Sequence, residues 1–164
     1  MWFQGGMEYG PRALGHRSVL ARPDRADLRD RLNLVLKRRV WYQPFCPSML
    51  ESDAARLLSD WDGGTNRNMT MAYEVVRDQR CRMAGVMSVD GTCRPQIVAD
   101  DAQGPFAALL RRARELWQVG VVLNTSYNIH GEPLVCAPAD AVDVFVRSGA
   151  DALAIGPFLV QRPS

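Results

Sequence analysis

The stretch VVLNTSYNIHGEP, residues 121–133, constrains the fold more than any other. It begins as a buried strand does, with Val121, Val122 and Leu123, and then brings Asn124, Thr125, Ser126, Asn128, His130 and Glu132 to a single loop. An apolar run of this kind belongs inside a sheet, and so many hydrogen-bonding groups at its end make the loop one wall of a binding site. The patterns around it supply the rest of the sheet. WFQG (2–5) looks like the end of a strand; with so little before it, it is expected at a sheet edge or in a chain that is part of something larger. RSVLA (17–21) reads as a strand. Pro23 and Asp24 then announce a helix, with Asp24 as its cap and Leu28, Leu32, Val35 and Leu36 on one face, ending near Lys37.

RVWYQPFCPSML (39–50) carries two prolines among β-formers and reads as extended and irregular rather than as a central strand. ESDAARLLSD (51–60) makes a short helix, WDGGTNRN (61–68) a flexible loop and MTMAYEV (69–75) a strand. In GVMSVDGTCRPQIV (85–98), Asp90-Gly91 predicts a hairpin, with Pro95 pushing its second strand toward an edge. From 105 to 117 the apolar residues follow the helical period; a helix over 139–147 and the strands ALAIG and FLVQR complete the chain. Strands and helices intermix without strict alternation, which predicts a single-domain α/β (α+β) fold with a mixed sheet flanked by helices.

Composition excludes several classes. At 164 residues and 47% apolar content the chain suits one domain. Its 20 basic and 18 acidic residues leave a net charge of +2, which argues against a nucleic-acid or membrane partner and requires any basic site to be local. Cys46, Cys81, Cys93 and Cys136 form no C-x-x-C pair and read as reduced cysteines. His16 and His130 lack the spacing of a metal site. With no apolar run long enough for a membrane span and no leader pattern, the chain is expected to be soluble and cytoplasmic.

Four constellations carry chemistry. Ser126 and Asn128 stand side by side if the strand runs past Asn124 with Tyr127 packed behind, and a hydroxyl beside a carboxamide suits a phosphate oxygen and a neutral amide or ribose. By itself the signal is weak, and an isolated S-x-N is better read as a turn whose Ser and Asn bond their own backbone. Lys37-Arg38-Arg39 is either a solvated helix C-terminus or, if the chain turns extended at Arg38, a Lys37 and Arg39 pair directed at a polyphosphate. GPRALGHRS (10–18) keeps Arg12 and Arg17 between glycines that permit close backbone approach to a ligand, and function is the stronger reading there. Arg94 and Gln96 share a face that lines a site or meets water.

Together these stretches resemble the C-terminal domain of the nodulation-type O-carbamoyltransferases, which carbamoylate hydroxyls of antibiotics and lipo-oligosaccharides. The matching text is WFQGGMEYGPRALGHRSVLA, DRLNLVLKRRVWYQPFCPSML, VDGTCRPQIV, VVLNTSYNIHGEPLVCAPADAVDVF and DALAIGPFLV, nearly the whole chain. The resemblance implies a YrdC-like twisted mixed sheet with a K-x-R and S-x-N signature at Lys37, Arg39, Ser126 and Asn128, taken as the catalytic set. Arg12, Arg17, Arg94, Asn124 and Gly131 are then expected on the nucleotide. The implied reaction uses ATP, with magnesium, and carbamoyl phosphate to form carbamoyl adenylate. An actin-like domain with a histidine-bound iron, N-terminal in the family and absent from this chain, would complete transfer and is an expected partner in trans. Gly6, Gln43 and Ser88 depart from the family, where Arg, Arg and His are common, and each departure removes a positive or titratable group. The rival expectations are a degenerate module that binds nucleotide or a partner without turnover, and an RNA-binding YrdC-like domain.

Overall fold

Val121 and Leu123 pack into one apolar cluster while Val122 between them packs into another. This alternation, imposed by the two-residue period of a strand, means both faces of the sheet are covered. In a computed structural model that describes residues 1–162, the central strand β7 (Val121–Ser126) lies in a seven-stranded mixed sheet. The other strands are β1 (Trp2–Phe3), β2 (Arg17–Ala21), β3 (Cys46–Leu50), β6 (Gln96–Val98), β8 (Ala152–Ile155) and β9 (Phe158–Gln161), in the order β6-β3-β7-β2-β1-β8-β9. A separate two-stranded ribbon pairs β4 (Tyr73–Glu74) with β5 (Thr92–Cys93).

Four helices cover the sheet: α1 (Ala26–Arg31), α2 (Glu51–Leu57), α3 (Pro105–Trp117) and α4 (Pro138–Ser148). Proline opens α3 and α4 at a position where a missing N–H costs nothing, and α4 ends on Gly149 in the left-handed conformation. Helix α3, through Leu110, closes one face over Leu50 and Val122; α4 closes part of the other over Phe3, Val19, Tyr127 and Leu153. Buried Asp53 joins three elements, accepting from Arg56 of its own helix, Arg114 of α3 and the Gly120 N–H before β7.

The architecture is the single-chain mixed sheet that the pattern predicts, but four local expectations change. Strand β1 lies inside the sheet, between antiparallel β2 and parallel β8, rather than at an edge. Strand β3 is central despite Pro47: its antiparallel pairing with β7 spans Cys46 to Met49, whereas β6 joins it only from Ser48, so Pro47 stands beyond the end of the second ladder. The hairpin at Asp90-Gly91 does not form. Ser88 and Thr92 close a tight turn instead, and β5 pairs back with β4 across a 3-10 helix at Arg77–Met83. Finally, Asp24 bonds Arg22 rather than capping, and the helix changes to a π-turn over Leu32–Leu36. The wider turn rotates the apolar face, so Leu36 is buried and Val35 is exposed.

Candidate functional site

Strand β7 runs on past Asn124, as its sequence requires, so Asn124 and Ser126 emerge on one face and Tyr127 packs fully buried behind them. Tyr127 is held there by its hydroxyl, which donates to Ala141 O at 2.6 Å. Against this strand end comes the segment following the π-turn. Arg38 takes a left-handed conformation, φ 43°, instead of the extended one expected, and this single inversion separates the directions of its neighbours.

Lys37 turns inward. Its Nζ donates to Ser126 O (2.7 Å), Ser126 Oγ (3.0 Å), Asn128 O (3.1 Å) and Asn128 Oδ1 (2.7 Å). Ser126 Oγ donates in turn to Asn128 Oδ1 at 2.7 Å, and Asn128 Nδ2 donates to Glu132 O. Lys37, Ser126 and Asn128 therefore do meet, but as one cluster in which Asn128 Oδ1 accepts from both partners and Asn128 Nδ2 is tied to Glu132. Burial, and secondarily the charge of Arg39, pulls Lys37 down from 10.5 to about 7; the four oxygens around its ammonium favour the charged form and oppose that fall.

Arg39 turns the other way, into a hollow of about 140 Å³ that it lines with Arg12, Arg94, Gln43, Asn124 and Ser126. Asn33, fully buried in the π-turn, fixes this arginine: its Oδ1 accepts from Arg39 Nε at 2.6 Å while its Nδ2 donates to Trp41 O and Gln43 O. The guanidinium also lies over the Phe45 ring, 4.4 Å from its centroid. Burial lowers the Arg39 pKa from its ordinary value. At the floor, burial raises the Cys46 thiol against the pull of Arg94, Arg12 and Arg39, so these three cations surround one uncharged thiol.

Two atoms in this hollow's walls lack partners. Arg39 Nη2 is a buried donor and Asn124 Oδ1 a buried acceptor, each without a hydrogen bond. Asn124 is held so by its Nδ2, which donates to Ala13 O (3.0 Å) and Ser48 Oγ (2.9 Å), and Ser48 bonds Gln96. Gln96 also donates to Leu14 O, so it braces the wall from behind while exposed Arg94 lines it. Orphaned buried polar atoms are rare, and both of these belong to side chains that line the hollow.

Two expected residues lie elsewhere. Arg17 is buried, with its Nη1 donating to Gln4 O and Gly5 O, its Nη2 donating to Cys136 O, and Phe3 stacked 3.5 Å from Arg17 Cζ. It fastens the N-terminal loop and the segment before α4, and does not line the hollow. Gly131, at φ +83°, makes an exposed turn beyond Asn128 and lines no part of the hollow. Gly15 serves packing rather than a ligand, since a side chain there would collide with the Phe106 ring. Sequence reasoning missed Asn33 and Met69. A buried asparagine inside a helical pattern was the available signal for the first; nothing in the pattern marked the second. Among the described residues no carboxylate lines the hollow. Among the described residues no helix is long and apolar enough to cross a membrane.

A family model described as "Carbamoyltransferase C-terminus" matches residues 1–162. The nodulation protein NolO of Bradyrhizobium diazoefficiens is 38% identical over 98% of this chain and 30% of its own length. The 3'-hydroxymethylcephem-O-carbamoyltransferase of Amycolatopsis lactamdurans is 33% identical over 98% and 30%. The uncharacterized protein MJ1058 of Methanocaldococcus jannaschii is 40% identical over 98% and 26%. The chain thus spans less than a third of the length of these relatives.

Proposed function

The chain belongs to the carbamoyltransferase C-terminus family, and on that premise we propose that its basic hollow binds carbamoyl phosphate and the phosphates of ATP and forms carbamoyl adenylate. The observation that carries this reading is the pair of unpartnered atoms. Carbamoyl phosphate offers an NH2 donor at one end and anionic oxygens at the other, matching the free acceptor Asn124 Oδ1 and the free donor Arg39 Nη2. A hollow of about 140 Å³ suits so small a molecule.

In this proposal water cleaves carbamoyl phosphate to carbamate and phosphate. A carbamate oxygen then attacks the α-phosphorus of ATP, and the bond to the β-phosphate breaks to release pyrophosphate. Negative charge grows on the α-phosphate oxygens, and fixed guanidinium donors in a sheltered site stabilise it more than water does. Arg39, preset by Asn33 and Phe45, takes that role, with Arg12 and Arg94 on the remaining phosphate oxygens. Lys37 and Asn128 act through Ser126: they hold its hydroxyl at the rim and keep the strand end from shifting. Magnesium, if bound, would be held by the nucleotide's own phosphates and would supply charge neutralisation there, since no Asp or Glu is among the residues lining the hollow. Passing the carbamoyl group to an acceptor hydroxyl belongs to further protein, for which an actin-like domain, joined or separate, is the proposed partner. Relatives more than three times as long as the matched region support that division.

The second reading, binding without turnover, is favoured by Gln43, a neutral residue in the hollow wall. Calorimetry separates the two. The enzyme reading predicts that ATP and carbamoyl phosphate alter each other's affinity, because they share three arginines. ATP binding indifferent to carbamoyl phosphate supports the binding module instead.

A further inference from the structure

Strand β9 ends the seven-stranded sheet, and among the described residues no strand pairs with its outer side. Phe158, Leu159 and Val160 on it are 70%, 65% and 43% exposed, and the strand carries no charged residue. It also lacks the internal lysine, proline or bulge that commonly keeps a free edge from pairing. Leu153, the ladder partner of Val160, packs in the cluster under α4. Val160 and, two residues before it, Phe158 therefore stand on the α4 face, and Leu159 stands on the opposite one.

Helix α4 extends the same surface. Arg162, just after β9, donates to Phe145 O, Val146 O and Ala150 O and lies over the Phe145 ring, which ties the Phe145–Val146 side of the helix to the end of β9. On that flank Ala139, Val142 and Val146 are exposed at i, i+3 and i+7, with no charge among them. The charged residues of the helix, Asp140, Asp143 and Arg147, keep to the other flank, where Arg147 bonds Glu132. Val142, Val146, Phe158 and Val160 thus form one apolar surface running from helix to strand, and a contiguous exposed patch of this kind marks an interaction site.

We infer that this edge joins two copies of the chain, with β9 pairing antiparallel to its own copy about a twofold axis at Leu159. The backbone fixes which residues can pair. Arg162 N–H donates to Asp151 O, while the N–H groups of Ala154 and Gly156 donate to Met1 O and Phe3 O on the far side of β8. Backbone groups alternate in direction along an antiparallel strand, so Phe158, Val160 and Arg162 direct theirs at β8, and Leu159 and Gln161 direct theirs outward. Pairing Leu159 with its copy forms two N–H to O bonds at the axis. Each Gln161 N–H then meets the Pro157 carbonyl of the other copy, where the missing proline N–H ends the ladder. The same register sets Phe158 against Val160 on the α4 face and Leu159 against Leu159 on the other, so every apolar residue meets an apolar one. A step of two residues would instead oppose Phe158 to Arg162, whose side chain is already held on α4, and Leu159 to Gln161. A twofold contact requires a surface complementary to itself, and this is the reason for assigning the edge to a second copy. No residue of α4 or β9 lines the basic hollow, so each copy keeps its own.

Sedimentation equilibrium on this chain is the test. With rising concentration the unaltered chain should pass from the mass of one copy to that of two. Leu159→Lys and Leu159→Glu each place like charges opposite one another at the axis and should weaken association about a hundredfold or more. The side chain is exposed, so neither substitution opens the core. Because position 159 faces itself, an equimolar mixture of the two variants should recover the dimer that each alone has lost. Gln161→Pro removes an outward N–H and no bond to β8, and should also weaken association. A chain that stays monomeric at every concentration overturns the proposal and leaves the edge to a different protein surface. A dimer that survives in Leu159→Lys places the contact elsewhere and overturns it as well. A mixture no more associated than either variant alone overturns the pairing at Leu159.

Discussion

Lys37 Nζ and Asn128 Oδ1 lie 2.7 Å apart although 91 residues separate them. This bond fastens the end of the π-turn to the end of the central strand, with Ser126 enclosed between them. The ammonium sits where water is excluded, so its charge carries a desolvation cost that the four surrounding oxygens offset only in part.

That cost gives the protein a pH-dependent stability of definite sign. Folded Lys37 titrates near 7 and unfolded lysine near 10.5, so between these values the unfolded chain holds a proton that the folded chain lacks. Stability contributed at this position therefore rises with pH across that window. Below it, both states are protonated and the penalty is constant. Urea unfolding across this range should show a steeper gain for the unaltered chain than for Lys37→Met; parallel curves would refute it.

Arg39 depends on Asn33, so changing Asn33 should weaken phosphate binding without touching any ligand. Asn33→Ala removes three hydrogen bonds from a fully buried side chain and should cost about 2–3 kcal/mol in denaturant unfolding. At temperatures where the variant remains folded, pyrophosphate should bind more weakly than to the unaltered chain. Normal affinity would show that Phe45 alone orients the guanidinium.

Arg17 is expected to behave oppositely. Its two terminal nitrogens donate to backbone carbonyls, its buried Nε has no partner, and the guanidinium lies against Phe3, away from the hollow. Arg17→Met should lower stability by roughly 2–4 kcal/mol while the folded fraction retains pyrophosphate affinity. Loss of affinity at unchanged stability would return Arg17 to the binding surface.

How far the sequence revealed this arrangement differs by residue. Ser126 and Tyr127 are legible because the strand period carries to the end of β7, whereas Asn128 lies past that end, its N–H donating to Ser126 O, so the strand and turn readings each hold in part. Lys37 and Arg39 were legible as a pair through family resemblance, but not their opposed directions, which follow from the left-handed Arg38. Arg17 misled because a buried arginine bonded to carbonyls and an arginine lining a site carry the same letter beside the same glycines. Pro47 misled because its cost in a strand depends on where the neighbouring ladder begins, a fact of register that no local pattern contains. Val35 turned outward because a π-turn breaks the 3.6-residue period on which its burial was predicted.

The most direct measurement is carbamoyl-phosphate-dependent exchange of labelled pyrophosphate into ATP, with the chain alone and with a separately supplied actin-like domain. The account predicts exchange that requires carbamoyl phosphate, falls steeply in Arg39→Ala and falls with Lys37→Ala or Asn128→Ala. Absence of exchange in the unaltered chain under both conditions would contradict it.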